Sequence, residues 1–94
     1  MEINDNTFLR QFEAKTGEKL AIIEYALQER KIFLTKIIVP EIKNKDVFVD
    51  KFISSVLEII RDRNISVVPT VPTITKYIRR NRRFKSLLPV GIRI

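Results

Sequence analysis

Two prolines and a helical pattern follow a short apolar stretch in the segment from Val67 to Asn81, which reads VVPTVPTITKYIRRN. The β-branched residues before Pro69 are typical of a strand, and the residues from Pro72 onward are typical of a helix. Such a junction places free backbone N–H groups at the mouth of a sheet, where α/β folds commonly bind ligands. Tyr77 is either a general acid for a reaction there or a core residue, and its apolar neighbours favour the core.

A second candidate site, Lys43 to Val47 (KNKDV), precedes a longer amphipathic segment. The pattern predicts a helix from about Val47 to Arg63, with Asp46 as its N-cap. The loop then either binds an anion with backbone N–H groups or simply caps a helix in solvent. From the residues alone both interpretations stay open.

Four further polar residues have both a chemical and an ordinary explanation. Lys36 lies in a β-branched strand and faces either a ligand groove or solvent. Glu24 is either a base or a surface charge. Thr70 and Thr73 either donate to a substrate carbonyl or cap the helix. For each residue the ordinary explanation is the commoner one.

The chain contains no cysteine and no histidine. The absence of cysteine excludes disulfides, thiolate zinc sites and a cysteine nucleophile. The absence of histidine removes the usual acid–base group near neutral pH and the commonest metal ligand, so no metal is expected. Any catalysis must use carboxylates, tyrosine, lysine, backbone donors or the substrate's own groups.

The positive charge of the chain is confined to its C-terminal part. Residues 1–75 contain 11 basic and 11 acidic residues, whereas residues 76–94 contain 7 basic residues and no acid. Cations in this part bind nucleic acid, the phosphates of a cofactor or an acidic protein, or simply keep a helix face solvated. The candidate contacts are Lys76, Arg79, Arg80, Arg82, Arg83 and Lys85. With only Tyr77 and Phe84 among them, base stacking on nucleic acid is poorly supported.

The alternation of apolar residues predicts three antiparallel strands joined by tight turns: Phe8–Ala14, Leu20–Leu27 and Ile32–Val39. The second of these has apolar residues on both faces, so both faces are expected to be covered. The predicted long helix follows, with Asn64 in a left-handed conformation at its end, and then a strand over Ile65–Val68. A helix of this length between two strands indicates a parallel crossover. The sequence therefore predicts a single α/β (α+β) domain, residues 1–94, with the order β-β-β-α-β-α.

Length and hydropathy also limit the setting in which the protein is expected to act. No apolar run reaches ten residues, so no membrane span is expected. The N-terminal MEIND is acidic and polar, unlike a secretory signal, so a cytoplasmic location is expected. An exposed sheet edge allows pairing between chains, and we expect a monomer or a weak homodimer.

Four sequence features at consistent spacing resemble the GNAT acetyltransferase superfamily, and more narrowly its small single-domain members. They are a strand that ends in Val39-Pro40, the loop Lys43–Val47, the segment Pro69–Pro72, and Tyr77-Ile78 in the helix after it. The resemblance covers roughly Phe8 to Leu88. The resemblance implies that the protein has a GNAT-like fold, binds acetyl-CoA and transfers the acetyl group of this cofactor to an amine of unknown identity. It places the cofactor between the last two strands, near Val39 and Val68, with its pyrophosphate over Lys43, Asn44, Lys45, Asp46 and Val47.

The chain departs from that family where the chemistry is expected. The two loop glycines of the family fall on Asn44 and Asp46, its cysteine on Val71 and its strand histidine on Lys36. Asn tolerates the left-handed conformation that glycine provides, but Asp46 brings a negative charge toward a negative ligand. The departures imply weak or lost acetyltransferase activity. The alternative is a binding module without enzymatic activity, in which the basic C-terminal helix binds nucleic acid or an acidic partner.

Overall fold

Five strands pair in the order in which they occur along the chain. The computed structural model describes residues 1–94. The elements are β1 (Asn4–Asn6), β2 (Gln11–Thr16), β3 (Lys19–Gln28), β4 (Lys31–Ile38), α1 (Lys45–Asp62), β5 (Ser66–Pro69), α2 (Pro72–Arg80) and a 3₁₀ helix (Arg82–Leu87). Adjacent strands from β1 to β4 are antiparallel to one another, and β5 is parallel to β4.

The long helix and the strand after it confirm the predicted parallel crossover. Helix α1 connects β4 to β5, and Asn64 has the predicted left-handed conformation, with φ 59°. An asparagine adopts this conformation at lower cost than most residues, so it ends the helix and turns the chain into β5. The predicted architecture, a mixed sheet packed against helices, is therefore confirmed in its main part.

One face of the sheet carries the core, and the opposite face is open. All 18 buried side chains form one cluster, in which residues from the strands meet both helices and the 3₁₀ helix. On β3, Ala21, Ile23 and Tyr25 are buried, whereas Leu20 on the other face is 46% exposed. The expectation that both faces of this strand are covered was therefore wrong. Every helix follows β4, and the chain has no further element to cover the second face.

The predicted element order omitted β1 and the 3₁₀ helix, and it began the first long strand too early. Residues 7–10 form a turn, in which Phe8 is 92% exposed and Arg10 has a positive φ of 57°. The Leu9 N–H donates to Asn6 Oδ1 at 3.0 Å, which closes this turn. The strand therefore begins at Gln11, because a side chain of Asn6 stabilises a reversal where the apolar pattern suggested an extended chain.

Strand β1 consists of residues that are poor strand formers, and side-chain contacts hold it in place. The Tyr25 phenol donates to Asp5 Oδ1 at 2.6 Å, and Arg63 Nη2 lies 2.8 Å from Asp5 Oδ2. Arg63 also lies over the Phe12 ring, 5.7 Å from its centroid. Asp5 thus connects the edge strand to the end of α1 and to the middle of the sheet.

This contact predicts a loss of stability in alkali that depends on Tyr25. Burial and then the hydrogen bond to Asp5 raise the pKa of Tyr25 to about 12. An unfolded tyrosine ionises from about pH 10, so alkali stabilises the unfolded state first. The free energy of unfolding should fall between pH ~10 and about 12 more steeply in the wild type than in Tyr25→Phe, measured by urea denaturation.

The matched control is Tyr77→Phe, which leaves the hydrogen bond between Tyr25 and Asp5 intact. This variant should retain the part of the alkaline slope that comes from Tyr25. Parallel alkaline curves for Tyr25→Phe and the wild type would show that the Tyr25–Asp5 contact does not contribute to folding.

Candidate functional site

Strands β4 and β5 separate halfway along β4. Their parallel pairing runs from Lys31↔Ser66 to Leu34↔Pro69 and then stops. The carbonyl of Leu34 accepts hydrogen bonds from the Thr70 N–H at 3.1 Å and from Thr70 Oγ1 at 2.9 Å. Thr70 therefore closes the end of the ladder, which is a structural role.

A β-bulge coincides with this separation. Glu24 pairs with Lys36 but Tyr25 pairs with Leu34, which leaves Thr35 without a partner residue in β3. A bulge bends its strand and reverses the alternation of side chains beyond it. As a result Ile37 packs against the core, whereas Lys36 is exposed, on the open face of the sheet with its cross-strand partner Glu24.

An apolar cavity of ≈ 360 Å³ lies beside the strand end that the bulge has turned. Strand β4 and the residue after it provide three aliphatic side chains, and the two helices provide the other walls. Its lining residues are Ile37, Ile38, Val39, Lys45, Val49 and Thr73. The predicted gap between the last two strands therefore opens above Leu34, with Val39 in its wall. Val68 does not line it, because Val68 is still paired with Phe33 in the ladder.

A charged cavity of ≈ 480 Å³ lies next to this apolar cavity, between α1 and α2. Val49 and Thr73 line both cavities, so the two adjoin along one open surface channel. Its end beside β4 is apolar and is called the inner end, and its end between α1 and α2 is charged and is called the outer end. The remaining lining residues of the outer end are Asp46, Asp50, Lys76 and Arg80. This channel, made of both cavities, is called the groove below.

Helix α1 begins beside the groove with a cap that leaves its backbone donors free. Asn44 is the N-cap, in a left-handed conformation with φ 55° and ψ 42°, and its side chain forms no capping hydrogen bond. The predicted N-cap, Asp46, was wrong, because the helix starts earlier and Asp46 lies in its first turn. Since the Phe48 N–H donates to the Asn44 carbonyl, the N–H groups of residues 45–47 have no acceptor within the helix.

On the side of the helix start that faces the groove, the charges nearly cancel. The Lys45 ammonium lies 2.8 Å from Glu41 Oε1, and this hydrogen bond lowers the pKa of Glu41. At the outer end Arg80 Nη2 lies 3.6 Å from Asp50 Oδ1, whereas Lys76 forms no ion pair. The partial positive charge of the helix N-terminus is thus the only uncompensated charge at the inner end.

The residues predicted to bind a cofactor lie on two sides of the loop before α1. Val39, Lys45 and Asp46 line the groove. Lys43, Asn44 and Val47 line a different cavity of ≈ 920 Å³ on the other side of this loop, called the second cavity below. The site that the sequence treated as one cradle is thus divided by the loop.

The six basic residues predicted as phosphate contacts have different surroundings. Lys76 and Arg80 line the groove, and Arg79 and Arg82 are exposed. Arg83 Nη1 lies 2.7 Å from Glu58 Oε1, and its guanidinium lies 4.1 Å from the centroid of the Phe84 ring. Lys85 is partly buried. Arg83 therefore fastens the 3₁₀ helix to α1.

Tyr77 belongs to the core, as its spacing favoured. It is only 6% exposed and packs against Phe84 with ring centroids 5.9 Å apart. Tyr77 lines a small cavity together with Asp50 and Ser54 of α1. Tyr77 does not line either part of the groove. Tyr77 is therefore not placed to act as a general acid at the inner end of the groove.

Sequence reasoning missed Val49 and Asp50 as groove residues. Thr73 had been named as either a donor to a substrate carbonyl or a helix cap, and it lines both parts of the groove. The only sequence signal for the site was the pair of adjacent polar residues Thr35 and Lys36 in an apolar strand, which breaks the period of two and marks a bulge.

The family of the chain follows from a comparison with known proteins. The model of the family described as GCN5-related N-acetyl-transferase matches residues 11–87. The chain belongs to this family, in agreement with the resemblance noted in the sequence. No curated protein matches the chain. No helix of the structure is long and apolar enough to span a membrane.

Because Asn44 has a left-handed conformation, glycine should be more stable than alanine at this position, which is the reverse of the order inside a helix. Alanine resists this conformation and glycine does not, so Asn44→Gly should be more stable than Asn44→Ala by about 1 kcal/mol. Ser55 in the interior of α1 provides the matched control, where alanine should exceed glycine by about 1 kcal/mol. Urea denaturation of the four variants measures both differences, and the same order at both positions would refute the cap geometry.

Proposed function

We propose that the groove binds acetyl-CoA and that the protein is an N-acetyltransferase that transfers the acetyl group to an amine. The observation that carries the proposal is the uncapped start of α1 beside an apolar channel between separated strands. Free helix N–H groups bind phosphate, and an apolar channel accepts the pantetheine chain. Membership in the GCN5-related family supports this cofactor.

The polarity of the groove gives the cofactor a direction. The pantetheine arm and acetyl group would lie along Ile37, Ile38 and Val39, since these side chains provide an apolar wall. The pyrophosphate would accept hydrogen bonds from the N–H groups of residues 45–47. The remaining phosphate would lie at the outer end, where Lys76 is unpaired and Arg80 is bound only loosely to Asp50.

When bound, the cofactor would supply an activated acetyl thioester. Attack by a neutral amine would form the amide bond and break the C–S bond, and the released thiolate or a water molecule would take the proton that the nitrogen loses. The chain's own part would be to hold the thioester against the aliphatic side chains of Ile37, Ile38 and Val39. The inner end contains only one titratable side chain, Lys45, and its ammonium is bonded to Glu41. No side chain there is placed to take the proton of the amine, so the amine must reach the thioester already deprotonated.

Asp46 opposes cofactor binding. At ~5 Å from a phosphate and an effective dielectric constant of ~20, one carboxylate costs about 3 kcal/mol. Water reduces this value, because Asp46 is exposed. Lys45 offers little compensation while it is paired with Glu41. Weak affinity for acetyl-CoA is therefore part of the proposal.

Thr73 offers a direct test, because it lines both parts of the groove and is exposed. Acetyl-CoA at millimolar concentration should raise the melting temperature of the wild type, and Thr73→Trp should abolish this rise by filling the channel. The matched control is Thr7→Trp, the same change in the exposed turn between β1 and β2. No rise with the folded wild type, or an equal rise in Thr73→Trp, would contradict the proposal.

Removing the opposing carboxylate should strengthen binding. Asp46→Asn should raise the affinity for acetyl-CoA about tenfold, while the loss of a favourable dipole interaction lowers stability by ~0.5 kcal/mol. Asp62→Asn makes the same change at the other end of α1 and should leave affinity unchanged. Isothermal titration calorimetry measures both. Equal affinities of Asp46→Asn and wild type would mean that no phosphate lies at the start of α1.

The binding-module alternative has less support than the groove. Of the six cations on which it depends, Arg83 and Arg80 contact carboxylates within the domain. Lys76, Arg79 and Arg82 remain exposed and unpaired, but Lys76 lines the groove, which has no aromatic side chain that could stack on a base.

A further inference from the structure

The second cavity shares no residue with the groove. Its volume of ≈ 920 Å³ lies within the range of ~300–1,000 Å³ typical of small-molecule sites. Three of the most exposed aliphatic side chains of the domain line it: Met1 at 54%, Leu20 at 46% and Val47 at 54%. Ile42 and Phe48 extend this apolar floor. The cavity therefore offers an apolar surface that the protein's own fold leaves uncovered.

Three lysines line the same cavity, and none of them forms an ion pair: Lys15, Lys43 and Lys51. Lys43 precedes α1, and Lys51 lies one turn beyond Val47 on the same side of the helix. The uncapped helix start at Asn44 adds its partial positive charge between them. Positive charge is thus concentrated on the helix side of the cavity, around an exposed aliphatic side chain.

The sheet side of the cavity has a different character. Both carboxylate oxygens of Glu13 accept hydrogen bonds from the side-chain amides of Gln11, Asn4 and Asn6, at 2.6, 3.0 and 3.0 Å. These bonds hold the pKa of Glu13 below its usual range. Glu13 therefore stays ionised beside Lys15, and Glu2 adds a further carboxylate. An anionic group is favoured on the helix side and opposed on the sheet side.

We propose that the second cavity binds a small monoanion with an apolar body, of which an aliphatic carboxylate is the simplest representative. Its anionic group contacts Lys43 and Lys51 beside the start of α1, and its apolar body covers Val47 and Leu20. The single anionic group follows from the carboxylates at the opposite end, which repel a second one. This site is separate from the acetyl-CoA groove, and it does not depend on acetyl transfer.

Three probes of equal chain length test the chemistry: decanoate, decan-1-ol and decylamine, each below its micellar concentration. In a titration of ¹⁵N-labelled full-length protein followed by NMR, decanoate should shift the amide signals around Leu20 and Val47. Decan-1-ol should bind about tenfold more weakly and decylamine more weakly still. Equal affinities of the three probes, or no binding of decanoate, would overturn the proposal.

A pair of lysine variants tests the location. Lys43→Gln with Lys51→Gln should weaken decanoate binding about tenfold. Lys31→Gln with Lys85→Gln removes the same charge at positions outside this cavity and should have no effect. Equal affinity in both double variants would overturn the assignment.

A competition experiment separates this site from the proposed function. Coenzyme A should not displace decanoate from the wild type, because the two cavities share no lining residue. Displacement would make the second cavity part of the cofactor groove and would overturn the proposal. A protein that binds decanoate but not coenzyme A would instead refute the proposed function and support the second site.

Discussion

The carbonyl of Leu34 is the last point at which β4 and β5 are held together, and the groove depends on this. Thr70 donates two hydrogen bonds to that carbonyl, and the bulge at Thr35 bends β4 away immediately afterwards. If the two strands stayed paired to their ends, the space lined by Ile37 and Val39 would be filled by backbone. The bulge also decides which side chains line this space, because it directs Ile37 rather than Lys36 toward the helices.

Electrostatics at the start of α1 limits what this space can bind. A helix start without a side-chain cap attracts an anion, yet the chain adds Asp46 in the first turn and pairs Lys45 with Glu41. The same helix start lies between two cavities, one with an apolar inner wall and balanced charges, the other with three unpaired lysines. The chain thus belongs to the GCN5-related family, and the anion-attracting charge of this helix start lies beside both the groove and the second cavity.

Patterns of residues that are close in sequence predicted the elements that interactions between such residues determine. The amphipathic period of α1 and the left-handed Asn64 follow from neighbours along the chain, and both were correct. Strand β1 was missed because Asn4, Asp5 and Asn6 are poor strand formers and are held by Glu13, Tyr25 and Arg63, which are distant in sequence. The sequence predicted a gap between the last two strands near Val39, which lines the groove, but it did not predict that Val49 and Asp50 line it. Val49 and Thr73 line the same space only because two helices converge, and the shift of register at Thr35 is marked only by the adjacent polar residues Thr35 and Lys36.

The central claim is that the N–H groups at the start of α1 bind the phosphates of the cofactor. The most direct measurement is an NMR titration of ¹⁵N-labelled protein with coenzyme A, in which each backbone N–H reports separately. The account predicts that the largest changes occur at Lys45, Asp46 and Val47, with smaller changes at Val49 and Thr73. Saturable binding that leaves these amides unchanged and shifts only signals of the 3₁₀ helix, or no binding at all, would contradict it.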